Sequence, residues 1–229
     1  MNALKTKGIV LARVDYGEAD RIITVLTEDY GKLSLMAKGA RRLKSKLAGG
    51  VELFSVNEIS FINGRGEVGT LISARMAKNY PDVLKDIDRV QSGYEMLKKI
   101  NKNTEQDVGG EYFGMLNKGL EALNDNKINF QLLMLWFEAQ LLNLAGHRPN
   151  LTHDQTGSKL SQDQKYIFDF DNMALSPNEN GKYSASEIKI LRLFFATDSP
   201  LILQKVKDIE SYMEPASQVI KYTSNSYLA

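Results

Sequence analysis

At 229 residues, with 43% hydrophobic and 25% charged side chains, the chain is long enough for one large or two modest soluble domains with a real core. It contains no cysteine, which excludes disulfides, thiolate zinc sites and a cysteine nucleophile, and suits a reducing compartment. The net charge of +1 conceals a division: residues 1–80 carry 13 Lys/Arg against 8 Asp/Glu and the remainder is net −4, which directs the first part towards a polyanion.

Short runs rich in β-branched and aliphatic residues come first. Lys5–Asp15, Arg21–Thr27, Lys32–Lys38, Val51–Ile62 and Glu67–Ala77 read as strands, separated by turn residues such as Tyr16-Gly17-Glu18 and Asp29-Tyr30-Gly31. Asn63-Gly64 is a hairpin signal between the last two. Five short strands protect their edges by closing into a small barrel, and the oligonucleotide-binding (OB) fold is the best-known five-stranded case.

The third strand alternates, with Leu33, Leu35 and Ala37 on one face and Lys32, Ser34, Met36 and Lys38 on the other. Gly39 breaks that period, and Arg41, Arg42, Lys44 and Lys46 follow with no acid among them. Together with Lys38 they mount five cations at the end of a strand, a surface suited to phosphates. The candidate DNA-binding set is therefore Lys32, Lys38, Arg41, Arg42, Lys44 and Lys46; the plain alternative is a solvated basic loop. Tyr16, Tyr30, Phe54 and Phe61 are available for base stacking, but core or turn packing is the first expectation for each.

From Tyr80-Pro81 the period lengthens. Val83, Leu84, Ile87, Val90, Tyr94, Leu97 and Ile100 recur at helical steps and predict an apolar helix face. Asp107–Leu123 repeats the pattern, weakened by Gly109, Gly110, Gly114 and Gly119. Ile128–Ala145 is apolar nearly all round and predicts the buried central helix of a bundle, ended by Gly146 and Pro149, with Trp136 in its core. Asn129, Gln131, Glu138, Gln140 and Asn143 interrupt that segment, so a membrane span is not expected. Residues 150–183 are polar and turn-rich, with an alternation at Tyr166–Phe170, and predict a small hairpin insertion. A helix from Ser186-Glu187 and two shorter ones, at about 201–208 and 210–222, finish the chain. The start, MNALKTKG, lacks the apolar core of a secretory signal, so a cytoplasmic location is expected.

Catalysis finds no support in these residues. There is no Gly-x-Ser-x-Gly elbow, and His147 and His153 have no evident partner. Gly64-x-Gly66-x-x-Gly69 has dinucleotide-loop spacing but lies between two strands, which makes it a hairpin turn. Glu18 and Asp20 beside Arg21 read as a turn-stabilising ion pair.

Gly17-Glu18-Ala19-Asp20-Arg21, Tyr30-Gly31-Lys32 and Ala37-Lys38-Gly39-Ala40-Arg41-Arg42 resemble, in order and spacing, the N-terminal signature of the RecO family of bacterial recombination mediators. Gly146-x-x-Pro149-x-Leu151 and Ser224-x-x-Tyr227-Leu228 are similar to that family's later landmarks. The resemblance implies an α+β protein: an OB-fold DNA-binding domain at 1–80, then a helical domain at 81–229 with the hairpin insertion at about 150–183. It implies a non-enzymatic DNA repair and DNA recombination protein that binds single- and double-stranded DNA and performs strand annealing. It further implies loading of a recombinase onto SSB-coated DNA (SSB, single-strand-binding protein), with RecR and the SSB tail as partners and no membrane. By position the matched cations are Lys38, Arg41 and Arg42, with Lys44 and Lys46 extending them. A protein-interaction adaptor of the same fold, with little DNA binding of its own, is the alternative.

One departure stands out. The family's zinc cysteines would fall at Asp154 and Gly157 and near Pro177 and Asn180, and none is cysteine. His147, His153, Asp154, Asp169 and Asp171 can be imagined as oxygen and nitrogen ligands, but only two histidines exist and the spacing fits no zinc pattern. No cofactor is expected.

Overall fold

In the computed structural model, residues 3–64, 66–106 and 108–228 are described. The chain divides into two compact units, residues 1–126 and 127–229.

In the first unit, β1 (Leu4–Tyr16), β2 (Asp20–Thr27), β3 (Lys32–Ala37), β4 (Ser55–Ile62) and β5 (Val68–Asn79) close into a barrel of order β1-β2-β3-β5-β4. Neighbours are antiparallel except where β3 meets β5 in parallel, pairing Ser34 with Val68 and Met36 with Thr70. This is the OB fold. Val10, Ile23, Val25, Leu35, Ile59, Phe61 and Leu71 fill its interior. Gly69 makes the closure possible, since a methyl there would press on Leu35 and the Ile62 carbonyl at 2.9 Å. The Gly64-x-Gly66-x-x-Gly69 spacing thus serves the β4–β5 turn; Arg65 lies outside the described residues.

The fourth strand begins later than its apolar run predicts. Ala48–Gly50 form a short 3-10 helix, and Val51 and Leu53 leave the ladder to pack on the barrel core. Apolar side chains needed to plug the barrel's end read, in sequence, like the start of a strand.

After a 3-10 turn at Pro81–Lys85, α1 (Ile87–Asn103) and α2 (Gly110–Leu123) complete the unit. Asp86 caps α1 through the amides of Asp88 and Arg89, at 2.9 and 3.1 Å. The buried face of α1 is Arg89, Gly93, Met96, Leu97 and Ile100, whereas Leu84, Ile87 and Tyr94 are exposed, contrary to the predicted apolar face. Arg89 is buried because its guanidinium donates to the Leu123 and Asp125 carbonyls at the C-terminus of α2, where a cation meets the negative end of the helix dipole. Asp107, the predicted start of α2, lies outside the described residues.

In the second unit, α3 (Phe130–Leu144) is the buried centre, with Trp136 donating its indole N–H to the Thr197 carbonyl at 2.8 Å. Gly146, at φ 79°, ends the helix: its N–H reaches the Asn143 carbonyl and the His147 N–H reaches Leu142, the paired bonds of a Schellman cap. The insertion is one strand larger than a hairpin: β7 (Tyr166–Asp169) and β8 (Ala174–Pro177) are antiparallel, and β6 (Asn150–Asp154) adds alongside β8 in parallel. Ser184 and Glu187 form a capping box for α4 (Ala185–Ala196). The single turn α5 (Pro200–Leu203) and α6 (Glu210–Tyr227) follow, the last running five residues beyond its predicted end. Among the described residues no helix is long and apolar enough to cross a membrane.

Candidate nucleic-acid interface

The basic loop is residues 38–54, joining β3 to β4, and it is anchored rather than loose. Ala40 and Val51 are buried in the barrel core, with Leu47 and Leu53 packed against it. Successive turn bonds, Arg42 N–H to the Gly39 carbonyl and Ser45 N–H to the Arg42 carbonyl, fold the segment between these anchors. Ala40, Leu47, Val51 and Leu53 pack inward, and Lys38, Arg41, Arg42, Leu43, Lys44 and Lys46 are left exposed, with the Leu43 side chain fully so.

The β1–β2 turn holds this loop from the side. Asp20 Oδ1 accepts the Gly39 N–H at 2.7 Å, and the Ala19 carbonyl accepts the Arg41 N–H at 3.0 Å. Asp20 therefore positions the loop and does not pair with Arg21. Arg21 instead donates to Asp15 at 2.8 Å and faces Glu52 at 3.8 Å. Arg13 pairs with Glu52, and Arg41 Nε lies 3.4 Å from Asp15. The result is a continuous ladder, Arg13–Glu52–Arg21–Asp15–Arg41, in which three guanidiniums meet two carboxylates. The hydrogen bond from Arg21, helped by the charges of Arg41 and Arg13, holds the Asp15 carboxyl below its ordinary value of 3.8.

The six candidate cations separate into three groups. Lys38, Arg42, Lys44 and Lys46 are exposed and form no ion pair among the described residues. Arg41 is half occupied by Asp15 and by the Gly17 carbonyl at 3.3 Å. Lys32 is elsewhere, at the opposite end of β3, about 20 Å along a six-residue strand. Its ammonium donates to the Asn101 carbonyl at 2.8 Å and to the Thr104 carbonyl, closing the C-terminus of α1. Burial holds its pKa below the ordinary lysine value.

Arg13 and Arg21 do not stand out as site residues in the sequence, and their signal is the cross-strand pairing of Asp15 with Arg21. Of the aromatics, Phe61 and Phe54 are buried, Tyr30 rests edge-on against Phe61 at 5.5 Å, and Tyr16 is exposed at the β1–β2 turn. Phe54 occupies left-handed backbone at φ 57°, a strain of about 1–3 kcal/mol for a bulky residue.

Against known families, the description "Recombination protein O N terminal" matches residues 1–80 and "Recombination protein O C terminal" matches residues 101–222. The chain belongs to the RecO family. It is 32% identical over 203 residues to the DNA repair protein RecO of Halalkalibacterium halodurans, covering 85% of this chain and 78% of that protein. It is 33% identical over 150 residues to the DNA repair protein RecO of Acetivibrio thermocellus, and 29% identical over 150 residues to that of Alkaliphilus metalliredigens. Each of these two matches covers 65% of this chain, and they span 59% and 61% of the relatives' own lengths.

The RecO motifs have separate physical tasks here. Gly-Glu-x-Asp-Arg and Ala-Lys-Gly-x-Arg are two halves of one joint, fastened by Asp20 and Gly39. Tyr-Gly-Lys fastens the barrel to the segment that follows α1: Gly31, at φ 65°, sits so near the Gln106 carbonyl that no side chain fits, and the Lys32 N–H donates to that oxygen at 2.8 Å.

The residues at the family's zinc positions do not fit a metal. Only Asp154 carries a ligand-type side chain, and its Oδ1 accepts from the Thr156 N–H, the Thr156 hydroxyl and the Ser158 N–H at 2.8, 2.6 and 3.0 Å. Those bonds, the Thr156 hydroxyl foremost, hold its carboxyl below the ordinary 3.8. His147 is stacked on Tyr227 and His153 Nδ1 is hydrogen-bonded to Thr152. Among the described residues no group of three or more His, Asp or Glu is placed to hold a metal ion.

Proposed function

We propose that this protein is a non-enzymatic DNA-binding mediator of recombinational repair, which binds single- and double-stranded DNA and anneals complementary strands. The observation that carries the reading is the set of four cations without an ion pair among the described residues, Lys38, Arg42, Lys44 and Lys46, held on a loop anchored in an OB barrel. Phosphates meeting such a surface release their counterions, giving affinity without sequence preference. Two strands held on one neutralised surface repel each other less, which is a physical route to annealing. The names of the relatives, DNA repair proteins, agree with this role. In the same proposal the protein helps to load recombinase onto SSB-coated DNA, with RecR and the SSB tail as its protein partners.

An adaptor with little DNA binding draws on one observation, the pairing of Arg41 with Asp15. Annealing of complementary labelled oligonucleotides separates the two readings. Wild type is expected to accelerate annealing, and Arg42→Glu with Lys44→Glu to abolish the acceleration while its melting temperature holds. Equal annealing by the two proteins would favour the adaptor.

The proposal includes no metal. The loop that zinc would brace is held by the Asp154 carboxylate, so a strong chelator is expected to leave the melting temperature unchanged. In contrast, Asp154→Ala is expected to speed hydrogen exchange at the Thr156 and Ser158 amides. A chelator-induced loss of stability would overturn this part.

A further inference from the structure

A cleft of about 290 Å³ opens beside the arginine ladder, lined by Arg13, Phe54, Met76, Tyr80, Leu84 and Tyr94 among others. Its Arg13 and Glu52 are the first rungs of the ladder that ends at Arg41, so the cleft and the basic loop form one continuous surface of the first unit. The walls are mainly apolar and face solvent: Met76 is 41% exposed, Leu84 66% and Tyr94 51%. Exposed apolar side chains gathered at one cleft and rimmed by charged groups mark an interaction surface.

The floor is built at a cost in backbone strain. Phe54 holds its left-handed conformation with the ring against Gly93, where a methyl would approach to 2.6 Å. Tyr94 meets Phe54 edge to face, with centroids 5.3 Å apart and planes at 80°. Such a contact leaves at least one face of the Tyr94 ring clear of Phe54.

We propose that this cleft is a nucleobase subsite, taking an unstacked base onto Tyr94 from the strand whose phosphates lie on the basic loop. The proposal rests on the DNA-binding reading above. The occupant follows from continuity and chemistry: a strand fixed by its phosphates along Lys38–Lys46 and the ladder presents bases to the adjoining wall. A base has the flat π-face that a half-exposed tyrosine accepts. Stacking asks for no particular base, in keeping with binding that reads no sequence.

The test compares two labelled probes of equal length, an oligodeoxythymidylate and the same strand with consecutive abasic sites at its centre, against the 229-residue chain. Wild type is expected to bind the intact probe about tenfold more tightly than the abasic one, within the range that base–aromatic stacking supplies. Tyr94→Ala is expected to lose that preference while binding the abasic probe as wild type does, and Tyr94→Phe to keep it. Tyr94 is exposed on a helix surface, so the variant is expected to fold, and a matching melting temperature checks this. Equal binding of both probes by wild type would overturn the subsite and leave the phosphate-binding surface standing, with the cleft free for a peptide. The subsite is equally overturned if Tyr94→Ala weakens both probes alike. Failure of wild type to bind either probe would remove the DNA-binding reading and the subsite with it.

Discussion

Arg42→Glu combined with Lys44→Glu is expected to lower affinity for single-stranded DNA on the order of 100-fold near 0.15 M salt. That magnitude follows from counterion release. Each phosphate neutralised on a single strand contributes about 0.7 to the log–log salt slope, which is about fourfold in affinity at that salt. Losing two such contacts costs about sixteenfold, and repulsion of the phosphates by the two new carboxylates, taken at about the same size per charge, brings the loss to the stated order. The folded state has little to lose, because both side chains are exposed and neither forms an ion pair among the described residues. Their turn is held instead by backbone bonds and by the buried Ala40 and Val51. Arg41→Gln is expected to cost less than Arg42→Gln, since Arg41 must leave Asp15 before it can meet a phosphate. Filter binding or fluorescence anisotropy at fixed salt reads both comparisons.

Gly31→Ala is expected to destabilise the protein by about 3 kcal/mol. A left-handed backbone costs a residue with a Cβ roughly 1–2 kcal/mol, and forcing a methyl against the Gln106 carbonyl adds about 1–3 kcal/mol. For a chain of this size the melting temperature should fall by roughly 10 °C. Lys32→Met at the next position is expected to cost about 2 kcal/mol, by taking charged hydrogen bonds from the Asn101 and Thr104 carbonyls. Its DNA affinity, measured below the melting transition, should stay within about twofold of wild type, because Lys32 lies at the far end of β3 from the loop. A large loss of affinity without a loss of stability would return Lys32 to the DNA-binding set.

The barrel was legible because its strands obey a period of two and its turns carry Gly, Asn and Asp at the positions that need them. Leu35 and Ala37 face the core as their alternation requires. Periodicity failed where an apolar residue served something other than its own element. Val51 and Leu53 plug the barrel, so they lengthened a strand that begins at Ser55. Leu84, Ile87 and Tyr94 keep helical spacing yet stay exposed, while Arg89, which is not among the residues of the predicted apolar face, is buried to cap another helix. The basic loop was visible as charge without acid, but charge says nothing about pairing. Asp15 and Glu52 lie outside the run of cations in sequence, and only barrel closure brings them to the arginines. Alternation puts Lys32 on the same face of one strand as Lys38, although a strand's two ends face different neighbours.

A salt titration of single-stranded DNA binding tests most directly whether the loop cations, which form no ion pair among the described residues, grip phosphates. If Lys38, Arg42, Lys44 and Lys46 each neutralise one phosphate, log K falls against log salt with a slope of about −3, so a fourfold rise in salt weakens binding about fiftyfold. A flat titration, or a slope that the Arg42→Glu/Lys44→Glu protein shares with wild type, would contradict the account.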